Sequence, residues 1–540
     1  MKKLLLLTWL VIFTSCQTSK EPADLLVVNA NIYTVNETFD KAEALAVKDG
    51  MILDVGTSEF ISGKYEGKEV VDAGGKTVIP GLIDAHCHFY GLGLNQLKVD
   101  LVGTTSYEEV LERVRQFSEE NPTNFIQGRG WDQNDWEVKE FPTKEELDRL
   151  FPDTPVALER VDGHAYLVNQ KALDLAGITA ETQVSGGEII KKDGKITGVL
   201  VDNPMYMIDA IVPPPTREMD IKALKDAEAL CIDYGLTTVN DAGLMRGTIE
   251  LIDSLHQAGD LSMRVYAMVS NSPENLDHFL PKGIVKTDRL HVRSVKVYGD
   301  GALGSRGAAL REPYSDQPGH FGAMVTPVEE IEDLAMRLAD SDYQMNTHAI
   351  GDSANIAVLR AYKKALEGKQ DRRWKIEHAQ VISAPDFDYF KEGIIPSVQP
   401  THATSDMYWA EDRLGEERVQ GAYAFKTLLD KAGMVALGTD FPVERVSPFL
   451  TFYASVGRQD LEGYPEGGFQ MKDALSREET LKGMTIWAAY SNFEEDEKGS
   501  LEAGKMADFV ILSGDIMMVP LKEVPDLKAE QVFIGGERKK

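Results

Sequence analysis

Eight short runs of β-branched and apolar residues, most of them followed by a helical stretch, constrain this chain more than any other feature. They read VIPGLIDAH, LTTVNDAG, MRVYAMVS, VRSVKVYGDG, YQMNTHAIG, WKIEHAQ, GIIPSVQPTH and MVALGTDFP. Between them lie segments with helical apolar spacing, such as REMDIKALKDAEALCIDYG and VEEIEDLAMRLADSD. Strands buried on both faces need near-continuous apolar runs, and strand–helix alternation joins parallel strands by crossovers. Eight such units predict an α/β fold, a (β/α)8 TIM barrel over 79–499. The spacing is regular except between the first and second runs, where about 150 residues intervene. That gap carries strand-like segments of its own (NFIQGRGWD, PVALERVDGHAYLVN, GEIIKKDGKITGVLV) and predicts a lid subdomain inserted over 122–220 at the barrel mouth.

Both ends are rich in short strands. LLVVNANIYTV, AEALAVKDGMILDVG and KEVVDAGGKTVIPG near the start are echoed by ADFVILSGDI and KAEQVFIGGERKK at the finish. They predict one composite β-sandwich domain from 25–78 plus 500–540. Ahead of it, Lys2 and Lys3 precede an apolar stretch from Leu4 to Phe13 and the small Thr14 and Ser15. This reads as a signal peptide over 1–15, too short to span a bilayer. Cys16 follows as in a lipobox, although Phe13 stands where an aliphatic residue is usual. Lipidation of Cys16, with 16–24 as a tether, predicts an exported periplasmic or cell-envelope lipoprotein anchored to the outer membrane. Membrane contact would run through the lipid alone. An ordinary secreted protein is the alternative.

Asp and Glu number 87 against 57 for Lys and Arg, a formal charge of −30. Such a surface repels phosphate backbones, so no nucleic-acid partner is expected. Three cysteines do not build a disulfide scaffold, and Cys87 and Cys231 read as free buried thiols.

The chemistry concentrates at run ends, the face on which such barrels carry their sites. His86 and His88 in GLIDAHCHF are two apart, so on a strand both imidazoles face one side and Cys87 the other. His348 and His378 end the fifth and sixth runs, and Asp440 the eighth. Singly, each reads as well as a hydrogen-bonded histidine or a helix cap. Together they supply the nitrogen and oxygen donors that zinc favours. Lys296 lies inside the fourth run between two valines, where burial would lower its pKa. A neutral amine beside metal ions can capture carbon dioxide as a carbamate bridging two cations; the alternative is an ion pair with an acid such as Asp300.

This pattern, HxH then Lys, His, His and Asp, resembles the amidohydrolase superfamily. The phrases GRGWDQNDW, ERVDGHAYLVN, KVYGDGALGSRGAAL, SVQPTHATSD and GTDFPV resemble the amidohydrolase family 3 branch of YtcJ-like proteins and N-substituted formamide deformylases. The resemblance runs from about Leu25 to the C-terminus. It implies a centre of two divalent ions, zinc by default, with His86, His88 and Asp440 at the buried ion, His348 and His378 at the outer one, and carboxylated Lys296 as the bridge. It implies hydrolysis of a C–N bond in a small amide-like substrate, an N-acyl or N-formyl amine, with Asp440 taking the proton from the attacking hydroxide. His164 and His402 are candidate catalytic donors to the oxyanion, or loop braces. Trp131, Asp132 and Trp136 line the substrate pocket or form the lid core. Deamination, ester or lactone hydrolysis at the same centre, and a non-catalytic lipid-anchored binding protein, are the rival readings. A homodimer is left open.

Overall fold

The computed structural model describes residues 20–121 and 123–540. The signal segment and Cys16 lie outside the described residues. Eight strands of one nine-stranded sheet run parallel in sequential order: β1 (Leu82–Cys87), β2 (Leu236–Leu244), β3 (Arg264–Ser270), β4 (Leu290–Tyr298), β5 (Gln344–Ala349), β6 (Lys375–His378), β7 (Ile395–Val398) and β8 (Ala436–Leu437). Every residue of β1, β5, β6 and β7 is buried, as the continuous apolar runs required. The sheet curls until its ends meet. The N–H of Asp440 donates to the His86 carbonyl at 2.8 Å, and the N–H of His88 to the Phe441 carbonyl at 2.8 Å. Closure thus falls between the two strands that carry candidate ligands. The predicted (β/α)8 barrel is the fold.

Helices cover the outside, and their stops are built into the sequence. Arg217–Asp233 opens on Thr216, whose side chain accepts from the Met219 N–H. Arg246–Ala258 ends on Gly259 in a left-handed conformation (φ 73°). One large apolar cluster joins the barrel strands to these helices and to Val510, Leu512 and Val532 of the C-terminal strands.

The terminal strands form two sheets. One holds Met51–Gly56, Ala44–Lys48, Glu21–Val28 and Tyr65–Asp72; the other sets Phe509–Leu512 and Ala529–Ile534 beside Thr77–Pro80 and Asn31–Tyr33. Leu25, Val47 and Val71 share a core with Phe509, Ile511 and Phe533, so both ends of the chain contribute to one sandwich. Residues 21–24, expected in the tether, instead belong to the first strand, where Glu21 to Ala23 pair with Tyr65 to Gly67. The insertion folds as a six-stranded sheet reaching from Val99–Asp100 to Lys195–Asp202 around its own core. It therefore takes in strand and helix ahead of residue 122, while the helix Arg217–Asp233 packs on the barrel. Among the described residues no helix is long and apolar enough to cross a membrane.

Candidate metal centre

The imidazoles at the strand ends converge. Ring centroids lie 5.7 Å apart for His86 and His88, 4.9 Å for His86 and His378, and 4.5 Å for His348 and His378. Two backbone positions shape this rim. His378 (φ 74°) and Asp440 (φ 61°) take left-handed conformations where their strands turn into loops. For residues with a Cβ this costs on the order of 1–3 kcal/mol each, and such strain collects at functional sites. Strict alternation would have put Glu377 and His378 on opposite faces of β6; the turn at His378 lets both reach the centre.

Asp440 is the hub. Its Oδ1 lies 3.4 Å from His86 Nε2 and 3.3 Å from His88 Nε2, and its Oδ2 lies 3.3 Å from His402 Nε2. Among the described residues, two groups have donor atoms within 4.8 Å of one another: His86, His88 and Asp440, and His378, His402 and Asp440. The outward nitrogens are fixed. His86 Nδ1 lies 2.6 Å from Glu377 Oε2, and His378 Nδ1 lies 2.8 Å from Gln399 Oε1. A proton held on Nδ1 by such partners leaves the Nε2 lone pair facing inward, the arrangement metal-ligating histidines use. Among the described residues, Asp440 Oδ1 is buried without a hydrogen-bond donor of its own. A carboxylate oxygen left bare among imidazole nitrogens is a poor structural motif and a good cation site, so the residues fit a divalent ion with nitrogen and oxygen ligands.

Charges follow the same geometry. Burial works to raise Asp440, yet His402, His88 and His86 hold it well below the usual carboxylate range. Burial works to lower His402, yet hydrogen bonds to Asp440 and Glu444 raise it to about 10. Burial pulls Lys296 down, against the attraction of Glu377 and Asp440. Its Nζ lies 3.1 Å from His86 Nε2, and among the described residues it forms no ion pair. The alternative partner Asp300 is committed elsewhere. Its carboxylate accepts from the N–H groups of Ala309 (2.9 Å), Ile350 (2.9 Å) and Gly351 (2.8 Å), and burial pushes it to about 7.

A cavity of about 850 Å³ opens above these residues, lined among others by His88, His164, Lys296, His378, His402 and Asp440. That volume suits a small-molecule substrate. His348 lines it too, but its Nε2 lies 3.4 Å from the Gly301 carbonyl and it falls outside both donor groups. His402, expected as an oxyanion donor, falls inside one. Asp132 reaches the cavity wall, where it pairs with Arg160. Trp131 and Trp136 do not reach it. Both are buried in the core of the inserted sheet, with indole N–H groups donating to the carbonyls of Leu158 (2.8 Å) and Thr104 (3.1 Å). They are core residues because a large ring on a two-sided sheet finds more apolar surface inside it than in a charged cavity. Cys87 faces away, its Sγ toward the Asn240 carbonyl at 3.4 Å. Residue spacing did not mark Glu377, Gln399, Glu444 or Asp202. The first stands beside His378 in the run KIEH, where a buried acid on an inward strand was the available signal.

The amidohydrolase family model Amidohydro_3 matches residues 69–538. The chain is 32% identical over 519 residues to YtcJ of Bacillus subtilis, covering 94% of this chain and 97% of that one. It is 27% identical over 542 residues to the N-substituted formamide deformylase of Arthrobacter pascens, covering 95% and 97%. An uncharacterized metal-dependent hydrolase from Pyrococcus horikoshii superposes with a TM-score of 0.74 at 30% identity, over 92% of this chain and 99% of that one.

Proposed function

The chain belongs to the amidohydrolase family and is a metal-dependent hydrolase of that superfamily; on that premise we propose that it cleaves the C–N bond of a small N-acyl or N-formyl amine. The observation that carries the reading is Asp440, a bare carboxylate oxygen between His86 and His88 with His402 on its other oxygen. The likeness to a formamide deformylase supports the choice of bond.

His86, His88 and Asp440 would hold one divalent ion and His378 the second, with Lys296 between the two, zinc being suited to these donors. Ions held there would polarise a carbonyl and bring water near the pKa at which it attacks. The protein does the rest. Asp440 Oδ2, presented toward the cavity beside His402, is placed to take a proton from the attacking water and pass it to the departing amine. Glu444 holds His402 from its Nδ1 side at 3.1 Å, so the imidazole stays aimed at Asp440. In the same proposal Lys296 is carboxylated, since a buried ammonium beside two cations would be repelled and a carbamate would bridge them. Cys16 is the lipid attachment point of an exported enzyme.

The test is metal analysis of the purified chain followed by assay of a panel of N-formyl and N-acyl amines beside esters, lactones and aminated heterocycles. Release of amine from the amides alone supports the reading. Turnover confined to the other classes overturns it.

A further inference from the structure

The inserted sheet meets the barrel through a loop of evenly spaced glycines. After β4 the chain reads GALGSRG from Gly301 to Gly307, with glycine at every third position. Each bare Cα faces a charged side chain of the insertion. A Cβ on Gly301 would lie 2.3 Å from Asp202 Oδ2, and one on Gly307 also 2.3 Å from Asp202 Oδ2. A Cβ on Gly304 would come within 3.1 Å of Arg160 Nη1. Asp202 is held by His164, so it keeps that contact without displacement only while both glycines lack side chains.

Asp202 is spent on one residue. Its Oδ1 lies 2.7 Å from His164 Nδ1, while its own N–H donates to the His164 carbonyl at 3.0 Å. It is buried and takes a left-handed backbone (φ 57°), a second cost accepted at this point. With Nδ1 engaged, the other ring nitrogen of His164 is left for the cavity that the ring lines. The ring packs 5.1 Å from that of His348.

We propose that His164 and Asp202 form a dyad delivered to the barrel centre by the insertion, with His164 contacting the substrate and Asp202 positioning it. Gly301 and Gly307 are the seat that admits the dyad. The centre is then built from two parts of the fold: the barrel supplies the metal ligands, and the inserted sheet supplies an imidazole on the wall of the same cavity. This deepens the amide-hydrolase reading and rests on it for the identity of the substrate.

The experiment compares His164→Ala, Asp202→Ala, Asp202→Asn and Gly301→Ala in the full chain loaded with metal. Ring 15N spectra, with the His164 signal assigned by its loss in His164→Gln, report the tautomer without any substrate. The wild type should carry the proton on Nδ1, Asp202→Asn should keep it through the amide oxygen, and Asp202→Ala and Gly301→Ala should lose that preference. On whichever amine the panel identifies, His164→Ala should lower kcat about 10²-fold and Asp202→Ala at least tenfold, with metal content and Tm unchanged. Asp202→Asn should fall between Asp202→Ala and wild type. Unchanged tautomer in Asp202→Ala, or kcat within twofold in His164→Ala, overturns the proposal. A loss of activity that follows only a fall in Tm or metal content overturns it too and leaves a structural brace. If no amide is turned over, the substrate reading fails while the spectra still decide the dyad.

Discussion

Glu377 Oε2 sits 2.6 Å from His86 Nδ1, and both side chains are fully buried. One acid thus decides which nitrogen of a candidate ligand faces the centre. Partners of this kind typically alter metal affinity 10–100-fold. Glu377→Gln keeps the shape and loses the charge, so metal affinity measured by competition with a chromophoric chelator should fall about tenfold, and about 100-fold in Glu377→Ala. Equal affinity in all three proteins would show the contact to be ornamental.

Removing metal should abolish activity reversibly. Dialysis against a chelator, then titration with zinc, should restore turnover at about two ions per chain by elemental analysis. His86→Ala and His88→Ala should each lose an ion and nearly all activity. A folded double variant that keeps its full metal content would refute the ligand assignment.

Lys296→Ala should lose activity, and a short carboxylic acid should restore a part of it by replacing the bridge. Lys296→Arg should resist rescue, because the guanidinium keeps its charge and fills the space. Mass spectrometry of the native chain should find an added mass of about one carbon dioxide at Lys296, the adduct that a carbamate bridge between two cations requires. Arginine tolerated in place of lysine would end the carbamate account.

Lys375 gives a pH prediction away from the ligands. Burial lowers its pKa from 10.5 to about 8, despite attraction from Glu377 and Glu494. The unfolded chain therefore binds more protons between pH 8 and 10.5, and stability gains from this group as pH rises through that window. Below pH 8 the full penalty applies, on the order of 3 kcal/mol. Its Nζ donates to Asn492 Oδ1 at 2.9 Å, but that oxygen also accepts from Asn240 Nδ2 at 3.0 Å. Lys375→Met leaves nothing unpaired there, so its apparent Tm should exceed wild type at pH 7, with a smaller gap at pH 10. A lower Tm at pH 7 would contradict this.

For Cys16, metabolic labelling with a fatty acid should mark the wild type and not Cys16→Ser. The wild type should sediment with membranes and the variant remain soluble and active. Unlabelled wild type retaining residues 1–15 would reject the anchor.

The sequence by itself marked the barrel, because apolar runs of strand length with helices between them bury both faces of a parallel sheet, and eight such units match the barrel count. It also marked His86, His88, His348, His378 and Asp440, because strand ends of such a barrel share one rim. Period-two spacing correctly turned Cys87 away from its neighbours. Tertiary structure alone decided how those residues are used. The left-handed turns at His378 and Asp440 break the alternation on which strand arithmetic depends, and they bring Glu377 onto His86 and His402 onto Asp440. Whether Trp131 and Trp136 faced cavity or core depended on the two-sided packing of a sheet that residue spacing does not describe. The pairing of Lys296 was open for the same reason: Asp300 lies four residues away, yet three backbone amides from other segments had already taken its carboxylate. Local pattern sets which face a side chain leaves from, and long-range contacts set what it meets.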